Sequence, residues 1–254
     1  MREIADFHIL EKINLSFGFV LLKLRKSCPL LPIKPGQFAQ VQIPDTSGVL
    51  LRRPISIHDA DEEKGCLSLV IQTVGKGTRA LTAMREGETV NLVYPLGNGY
   101  PVEGENPLLV GGGCGVAPLL YLAKTFQKKG IRPLILLGCK NRVILQEEFA
   151  RYGDVYITTE NGSCGEQGFV TQHSIWDTAS TIDGIFTCGP EAMMQSVSRR
   201  AKEKHVPCYV SLENTMACGI GACLCCVVET EHGNRCTCTE GPVFLADDIP
   251  AYKF

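Results

Sequence analysis

Several features that would assign this chain to other functional classes are missing from its sequence. Its 25 basic and 27 acidic residues nearly cancel to a net charge of -2, which argues against a polyanionic partner such as nucleic acid. None of its five histidines falls in a recognisable catalytic constellation. The N-terminal stretch has early acidic residues and no long apolar run, so we expect no secretion signal and a cytoplasmic location.

A membrane-spanning segment is not expected either. Residues 106–123 contain 18 uncharged residues, which meets the length of a membrane span. The same stretch holds four glycines and two prolines, which would break a single helix in its middle. We therefore predict a strand, a turn and the start of a helix here, and no membrane association.

Cysteine is present in quantity, and six of the 13 cysteines fall between Cys218 and Cys238. Cys218, Cys223 and Cys226 have the spacing C-x4-C-x2-C, with a later cysteine available as a fourth ligand, which is the plant-type pattern of a [2Fe–2S] cluster. Glycines between the first two cysteines favour a chain that wraps a cluster. The seven cysteines outside this stretch are widely scattered, which fits reduced thiols.

Two other interpretations of the cysteine segment, Cys218–Cys238, remain open at this point: a zinc knot and a disulfide knot. Zinc prefers paired C-x2-C hooks, and only Cys223 with Cys226 forms such a pair free of crowding. Cys225 directly precedes Cys226, so we expect it to point away. Cys236 competes with Cys238 for the fourth position.

Residues 1 to about 100 are typical of an all-β barrel or sandwich, with short apolar or alternating runs separated by turn residues. The segment from Leu51 to Ser56 combines arginine, proline and a hydroxyl, and could hold a flavin with Arg53 on a phosphate. A Gly-Lys-Gly-Thr turn ends at Thr78, where we expect a short helix whose N-terminus favours a phosphate. Alone, the first segment could be a surface turn and the second a hairpin loop.

Residues 101 to about 210 change to a pattern of alternating strands and helices, which predicts a parallel sheet. A strand from Pro107 runs into a glycine-rich turn and a helix with Pro118 in its first turn. A later strand ends in Cys188-Gly189-Pro190 before another helix. Because open α/β sheets bind ligands at the carboxyl ends of their strands, a nicotinamide dinucleotide is the natural ligand.

The glycine-rich turn is not the GxGxxG pattern of an ordinary Rossmann fingerprint, so a turn without a ligand is the alternative. Cys188 could lie near the nicotinamide or could be a small residue packed beneath its turn. Lys140 and Arg142 follow the second α/β strand and could reach a 2′-phosphate, so the residues alone do not separate NAD from NADP.

Taken together, three motifs resemble the ferredoxin reductase-like flavoproteins: RPxS at Arg53–Ser56, GGGxGxAP at Gly111–Pro118, and CGP at Cys188–Pro190. Within that superfamily, CGIGACxxC followed by CxEGPVF is similar to the electron transfer subunits of type B dihydroorotate dehydrogenases. The resemblance covers nearly the whole chain. It implies a flavin-binding antiparallel β-barrel (1–101), a parallel α/β nucleotide-binding domain (102–210) and a small iron–sulfur domain (211–254).

The resemblance also implies a set of cofactor contacts. For FAD they are Arg53, Pro54, Ile55, Ser56, Val70, Ile71, Gln72, Gly77 and Thr78. For NAD they are Gly112, Gly113, Gly115, Cys188, Gly189 and Pro190. The [2Fe–2S] ligands are Cys218, Cys223, Cys226 and Cys238, and Cys225 and Cys236 are extra thiols beside the family ligands.

By the same resemblance, the partner is an FMN-containing catalytic subunit that oxidises dihydroorotate in pyrimidine synthesis, in a heterotetramer of two copies of each subunit. Electrons would pass from FMN through the [2Fe–2S] cluster and FAD to NAD+. One alternative is an NAD(P)H:ferredoxin or sulfur reductase subunit of another flavoprotein complex, of the sulfhydrogenase or transhydrogenase type. Another is a zinc-bound interaction module on a degenerate flavoprotein.

Overall fold

The computed structural model describes residues 1–179 and 181–252, which form two compact units. Unit 1 comprises residues 1–99, 213–227 and 236–242. Unit 2 comprises residues 100–212, 228–235 and the segment beginning at residue 243. The predicted boundaries at residues 101 and 210 lie close to the changes of unit after residues 99 and 212. The division into three domains stays a prediction, and the last two residues of the third lie outside the described chain.

Unit 1 is built on a closed barrel of six antiparallel strands, which confirms the predicted β-barrel. The strands are β1 (Glu3–Asn14), β2 (Phe19–Arg25), β3 (Phe38–Val41), β4 (Arg53–Asp61), β5 (Cys66–Gln72) and β6 (Thr89–Leu96). Their order around the barrel is β1-β2-β5-β4-β3-β6, so β1 closes the barrel by pairing with β2 and β6. Alternate side chains fill the interior, because successive residues of a strand point to opposite faces.

The strand β1, of 12 residues, does not have the clear apolar or alternating pattern on which the barrel prediction rests. Of its apolar side chains, Phe7 and Ile9 are buried, whereas Ile4 and Leu10 are exposed. A weak alternation with polar residues at most positions gives little hydrophobic signal. Pairing with two neighbours, rather than its own composition, therefore determines this strand.

The helix predicted after Thr78 exists but begins earlier, as α1 (Lys76–Ala83). Gly75 is its N-cap residue, and Thr78 lies at the third helical position. The Thr78 hydroxyl accepts hydrogen bonds from the backbone N–H groups of Val74 (2.9 Å) and Gly75 (3.0 Å). Thr78 thus occupies the N3 position of the helix, from which its side chain accepts hydrogen bonds at the N-terminus, and it is not the N-cap residue.

Unit 2 contains the predicted α/β sheet. Its elements through the end of the second long helix are β7 (Pro107–Gly112), α2 (Ala117–Lys128), β8 (Leu134–Cys139), α3 (Gln146–Ala150), β9 (Asp154–Thr159), β10 (Glu166–Gln167), α4 (Ile175–Thr178), β11 (Gly184–Cys188) and α5 (Glu191–Glu203). They are followed by β12 (Cys208–Ser211), a two-stranded ribbon of β13 (Val227–Thr230) and β14 (Gly233–Cys236), and β15 (Val243–Leu245). Among the described residues, no helix has the length and apolar character needed to cross a membrane.

In the sheet order β10-β9-β8-β7-β11-β12-β15, the direction in which successive strands are added reverses beside β7. From β7 the chain adds β8, β9 and β10 on one side, and then returns to place β11 on the other side of β7. All neighbouring pairs are parallel except β12 with β15. The carboxyl ends of β7 and β11 therefore lie side by side at a topological switch point, where such sheets bind ligands.

A charged group is buried at the closing edge of the barrel. Lys26 is 7% exposed, and its ammonium group forms an ion pair with Glu3 and lies 5.5 Å from the ring centre of Tyr94. The Tyr94 hydroxyl also donates a hydrogen bond to Glu3. Hydrogen bonds from Lys26 and Tyr94 hold the pKa of Glu3 below its ordinary value. The carboxylate of Glu3 is thus the acceptor on which both neighbours depend.

We predict that Glu3→Gln lowers the free energy of unfolding by about 1–3 kcal/mol, because it leaves the buried ammonium group of Lys26 without a counter-ion. Since the pKa of Glu3 is lowered by folding, its contribution is present above the ordinary value of 4.5 and is lost as the pH falls through the folded value. The difference between wild type and variant in urea unfolding should therefore shrink in acid.

The matched control is Glu11→Gln, which breaks the Lys23–Glu11 pair, whose side chains are 47% and 48% exposed. Exposed pairs contribute up to about 1 kcal/mol, so this variant should unfold close to wild type. Equal effects of the two substitutions would contradict the role given to the buried group.

Candidate functional site

Three segments with predicted flavin contacts meet at one end of the barrel. The motif Arg53–Ser56 begins β4, and Val70–Gln72 ends the antiparallel neighbour β5. Three residues separate the end of β5 from the start of helix α1. Sequence-distant segments are brought together here because antiparallel strands place the start of one beside the end of the next.

The guanidinium group of Arg53 lies against the first turn of α1. A Cβ atom added to Gly77 would be 3.1 Å from Arg53 Nε, so a side chain at this position would require the guanidinium group to shift by a few tenths of an ångström. Hydrogen bonds to the carbonyl oxygens of Leu51 (2.7 Å) and Arg52 (3.2 Å) fix the guanidinium group. A fixed cation beside the unpaired N–H groups of a helix N-terminus is suited to an anionic phosphate.

The neighbouring Arg52 does something different. Its guanidinium group donates to the Asn91 side chain (2.6 Å) and to the carbonyl oxygens of Asn91 (3.1 Å) and Gln40 (3.3 Å). It therefore joins β3 to β6. Burial lowers the pKa of Arg52 from its ordinary value. Of the two arginines, Arg53 is the one placed beside the helix N-terminus.

Not every predicted flavin residue presents its side chain in the same way. Ile71 is fully buried among the barrel residues, whereas Gln72 is exposed. Val70 and Gln72 share one face of β5 and Ile71 has the other, because side chains alternate along a strand. Pro54, Ile55 and Ser56 are half-buried. At Ile71, therefore, a ligand could contact the backbone but not the side chain.

The two glycine-containing turns of unit 2 contact each other at the switch point. Gly111 is paired with Cys188 across β7 and β11. A Cβ atom on Gly115 would lie 2.3 Å from the carbonyl oxygen of Cys188, and one on Gly112 would lie 2.4 Å from Met193 Sδ. Gly115 is required because the two turns pack backbone against backbone there, whereas the space at Gly112 is filled by the Met193 side chain. Gly113 has open space around it, and glycine is favoured there because its φ of +57° lies in the left-handed region.

The remaining predicted nucleotide residues border the same place. Gly189 has a φ of +155°, and Pro190 caps the start of α5. The Cys188 side chain is only 3% exposed, which favours packing beneath the turn over contact with a ligand. Lys140 and Arg142 are exposed just after β8. Helix α2 begins directly after the glycine turn, so its N-terminal dipole faces this edge of the sheet.

The cysteine segment of unit 1 wraps around its own sulfur atoms. Gly219 and Gly221 have φ values of +71° and +83°, which turn the backbone between Cys218 and Cys223. As a result, backbone N–H groups point at sulfur: Ile220 and Cys223 each donate to Cys218 Sγ at 3.4 Å. The Ile220 amide is the main reason that the pKa of Cys218 is lowered, which favours the thiolate that binds metal.

The four predicted ligands fall into two pairs. The thiols of Cys218 and Cys223 interact with each other, as do those of Cys226 and Cys238. Among the described residues, no three His, Cys, Asp or Glu side chains converge as one metal ion would require. A [2Fe–2S] cluster held by four thiolates has two irons, so two pairs of thiols fit it.

The two candidates for the fourth position differ in their contacts. Cys238 Sγ accepts a hydrogen bond from the Gly221 backbone N–H at 3.1 Å, which connects it to the loop of the first two cysteines. The thiol of Cys236 interacts with Cys226, and its backbone N–H donates to the Glu240 carboxylate at 2.9 Å. Cys225 is exposed. The contact with Gly221 favours Cys238 as the fourth ligand.

Polar atoms left without partners around this segment also fit a bound cofactor. Both side-chain polar atoms of Gln40 and the hydroxyl of Thr237 are buried without a hydrogen bond to any described residue. Buried polar groups normally have partners, so such atoms indicate a missing acceptor or donor. Gln40 cannot be recognised from the sequence, because a single glutamine in an apolar strand has no recognisable pattern.

Solved structures similar to this chain have the same fold. A structure of the NADH-dependent reduced ferredoxin-NADP oxidoreductase, studied for flavin-based electron bifurcation, matches with a TM-score of 0.86 and 28% identity, over 96% of this chain and 90% of that one. The FAD/NAD-binding domain of a Vibrio cholerae nitric oxide dioxygenase matches with a TM-score of 0.70 and 19% identity, over 79% and 93%. The second likeness concerns the fold alone.

Three family models together match most of the chain. The oxidoreductase FAD-binding domain matches residues 7–100, and the oxidoreductase NAD-binding domain matches residues 109–199. The iron–sulfur cluster binding domain of dihydroorotate dehydrogenase B matches residues 213–250. The chain therefore has binding domains for FAD, for NAD and for an iron–sulfur cluster.

Curated relatives agree with the third of these models. A protein of Bacillus cereus (strain Q1) named dihydroorotate dehydrogenase B (NAD(+)), electron transfer subunit, is 41% identical over 227 residues, which are 85% of this chain and 86% of that protein. A protein of the same name from Bacillus anthracis (strain CDC 684 / NRRL 3495) matches equally. The chain belongs to the family of electron transfer subunits of dihydroorotate dehydrogenase B.

Proposed function

We propose that this chain is the electron transfer subunit of an NAD-dependent dihydroorotate dehydrogenase acting in pyrimidine (UMP) synthesis. The observation that carries the proposal is the cysteine segment. Its backbone amides point at the sulfur atoms of two pairs of thiols, within residues that match the iron–sulfur domain of this enzyme family.

The flavin residues bind and orient FAD in this proposal. Arg53 and the first turn of α1, with Gly77 and Thr78, hold the phosphates. Pro54, Ile55 and Ser56 at the start of β4, and Val70, Ile71 and Gln72 at the end of β5, border the isoalloxazine ring. Support comes from their meeting at one end of the barrel and from the fixed position of the guanidinium group.

The nucleotide residues hold NAD at the switch point of the sheet. Gly113, which has open space beside it, lets the pyrophosphate approach the backbone, and the start of α2 offers it N–H groups. Gly112 and Gly115 shape the same turn by leaving room for Met193 and for the Cys188 backbone. Gly189 and Pro190 border the nicotinamide from the neighbouring strand, and the buried Cys188 supports their turn from beneath. The packing of the two turns backbone against backbone supports this assignment.

Cys218, Cys223, Cys226 and Cys238 hold the [2Fe–2S] cluster. When bound, the cluster carries single electrons, and FAD joins them into the pairs that NAD+ accepts as hydride. The chain's own part is to supply thiolates, to direct amides at their sulfur atoms and to exclude water from Cys226 and Cys238, each 1% exposed. Such amides and burial set the potential of a cluster.

Dihydroorotate chemistry belongs to the partner in this proposal, a catalytic subunit with FMN that forms a heterotetramer with two copies of each chain. The chain then needs no acid–base residue of its own. Its histidines have local contacts, such as His8 with the Thr89 hydroxyl (3.1 Å) and His173 with the backbone N–H of Ile175 (2.9 Å). We place the complex in the cytoplasm, without nucleic acid or membrane.

A second function, that of a ferredoxin-linked NAD(P)H reductase subunit, is favoured by one observation. The solved structure of the reduced ferredoxin-NADP oxidoreductase covers 96% of this chain at 28% identity. The curated relatives are more similar, at 41% identity, and carry the dihydroorotate dehydrogenase name. We therefore give the first function preference.

The function is tested by purifying the native complex from its source. We expect an FMN-containing partner to co-purify and the complex to reduce NAD+ with dihydroorotate. We also expect NADH to reduce the flavin of the isolated chain in stopped-flow mixing, faster than NADPH. Ferredoxin-dependent NAD(P) reduction without dihydroorotate activity would establish the second function instead.

The four ligands are tested by serine substitution with iron and acid-labile sulfide analysis. We expect Cys218→Ser, Cys223→Ser, Cys226→Ser and Cys238→Ser each to lose most of the cluster while FAD stays bound. Cys225→Ser and Cys236→Ser are the matched controls and should keep the wild-type iron content and visible spectrum. A cluster lost in Cys236→Ser but kept in Cys238→Ser would show that the fourth ligand was assigned wrongly.

The phosphate role of Arg53 is tested by Arg53→Met. Removing a charge-assisted hydrogen bond costs about 1.5–3 kcal/mol, so FAD should bind roughly 10–100-fold more weakly in fluorescence titration of the flavin-free chain. Arg85→Met removes the same charge just beyond the other end of α1, where the residue is exposed, and should leave FAD affinity unchanged. Equal affinities of the two variants would exclude the proposed contact.

A further inference from the structure

Gln40 is the most deeply buried amide side chain beside the cysteine segment. It lies in β3 and is 1% exposed. Phe38, two residues before it, packs with Cys226, Cys236 and Cys238 in one apolar cluster. Because residues two apart share a face of a strand, the side chain of Gln40 lies on the face of β3 that covers the cysteines.

The amide of Gln40 has nothing to bond with among the described residues. Neither Nε2 nor Oε1 has a hydrogen-bond partner, although both are buried. Leaving such a group unpaired is unfavourable, because burial has removed its hydrogen bonds to water. An apolar residue of similar length would fill the same space without this cost, so packing does not account for glutamine at this position.

The side-chain amide of Gln40 also packs directly against the loop that follows Cys218. A Cβ atom on Gly219 would lie 2.6 Å from Gln40 Cγ and 2.8 Å from Gln40 Nε2. Gly219 directly follows Cys218, and the backbone amide next along the chain, that of Ile220, points at Cys218 Sγ. The Gln40 amide thus borders the same sulfur-directed loop.

The backbone of Gln40 belongs to the flavin side of unit 1. Gln40 is paired with Pro54 across β3 and β4, so it neighbours the Arg53–Ser56 segment. Its carbonyl oxygen accepts a hydrogen bond from Arg52 at 3.3 Å. One residue therefore connects the strand with the proposed flavin contacts to the loop with the proposed cluster ligands.

We propose that Gln40 is a positioning residue for the iron–sulfur cluster, which donates a hydrogen bond from its side-chain amide to a sulfur atom of the bound cluster. The inference rests on the proposed function, because it needs the cluster at Cys218, Cys223, Cys226 and Cys238. A donor to sulfur stabilises the reduced cluster more than the oxidised one, since the reduced form carries more negative charge. Gln40 accordingly raises the reduction potential of the cluster.

The test is a redox titration of the FAD- and cluster-loaded full chain, followed by electron paramagnetic resonance of the reduced cluster. In Gln40→Met, which keeps the length and removes the donor, we expect the equilibrium constant for cluster reduction to fall about tenfold, or about 59 mV for one electron. The matched control is Gln42→Met, two residues further along, where the side chain is exposed, and its potential should equal that of wild type.

A second measurement does not depend on a variant. Wild-type protein carrying 15N-labelled glutamine should show a 15N coupling to the reduced cluster in pulsed electron paramagnetic resonance. An unshifted potential in a cluster-loaded Gln40→Met, an equal shift in Gln42→Met, or no 15N coupling in wild type would each overturn the role of Gln40. Wild type without iron would instead overturn the proposed function and this inference with it.

Discussion

The packing of the cysteine segment on strand β3 is the contact on which the arrangement of unit 1 depends. Phe38 on this strand joins Cys226, Cys236 and Cys238 in one apolar cluster. The opposite face of the same strand belongs to the barrel interior, where Ala39 and Val41 are buried. A short strand buried on both faces can therefore hold a metal-binding loop and a flavin-binding barrel in one compact unit.

The consequence for the cysteines is a fixed backbone. Asn98 donates its side-chain amide to the Glu240 carbonyl oxygen at 2.7 Å, which connects the end of β6 to the second part of the cysteine segment. The Gly221 amide then reaches Cys238 Sγ across 17 residues of sequence. Because the donors to sulfur are backbone groups held by packing, they need no rearrangement when a cluster binds.

In unit 2 the controlling constraint is the reversal of strand order beside β7. It places the glycine turn after β7 next to the turn after β11. There the Cys188 backbone leaves no space for a side chain at Gly115. Both turns can be recognised in the sequence from their position after buried strands. Their contact cannot, because the adjacency of β7 and β11 is set by strands far apart in the chain.

The amino-acid sequence by itself determined the motifs, since glycine, proline and cysteine at fixed spacing state what the local backbone and its ligands require. It also determined the alternation of strands and helices from their hydrophobic periods. Only the tertiary structure decided that Arg53 faces α1 while Arg52 joins two strands, that the barrel is closed by the weakly patterned β1, and that Gln40 lies beside the cysteines. These outcomes depend on contacts between residues distant in sequence, which no local pattern encodes.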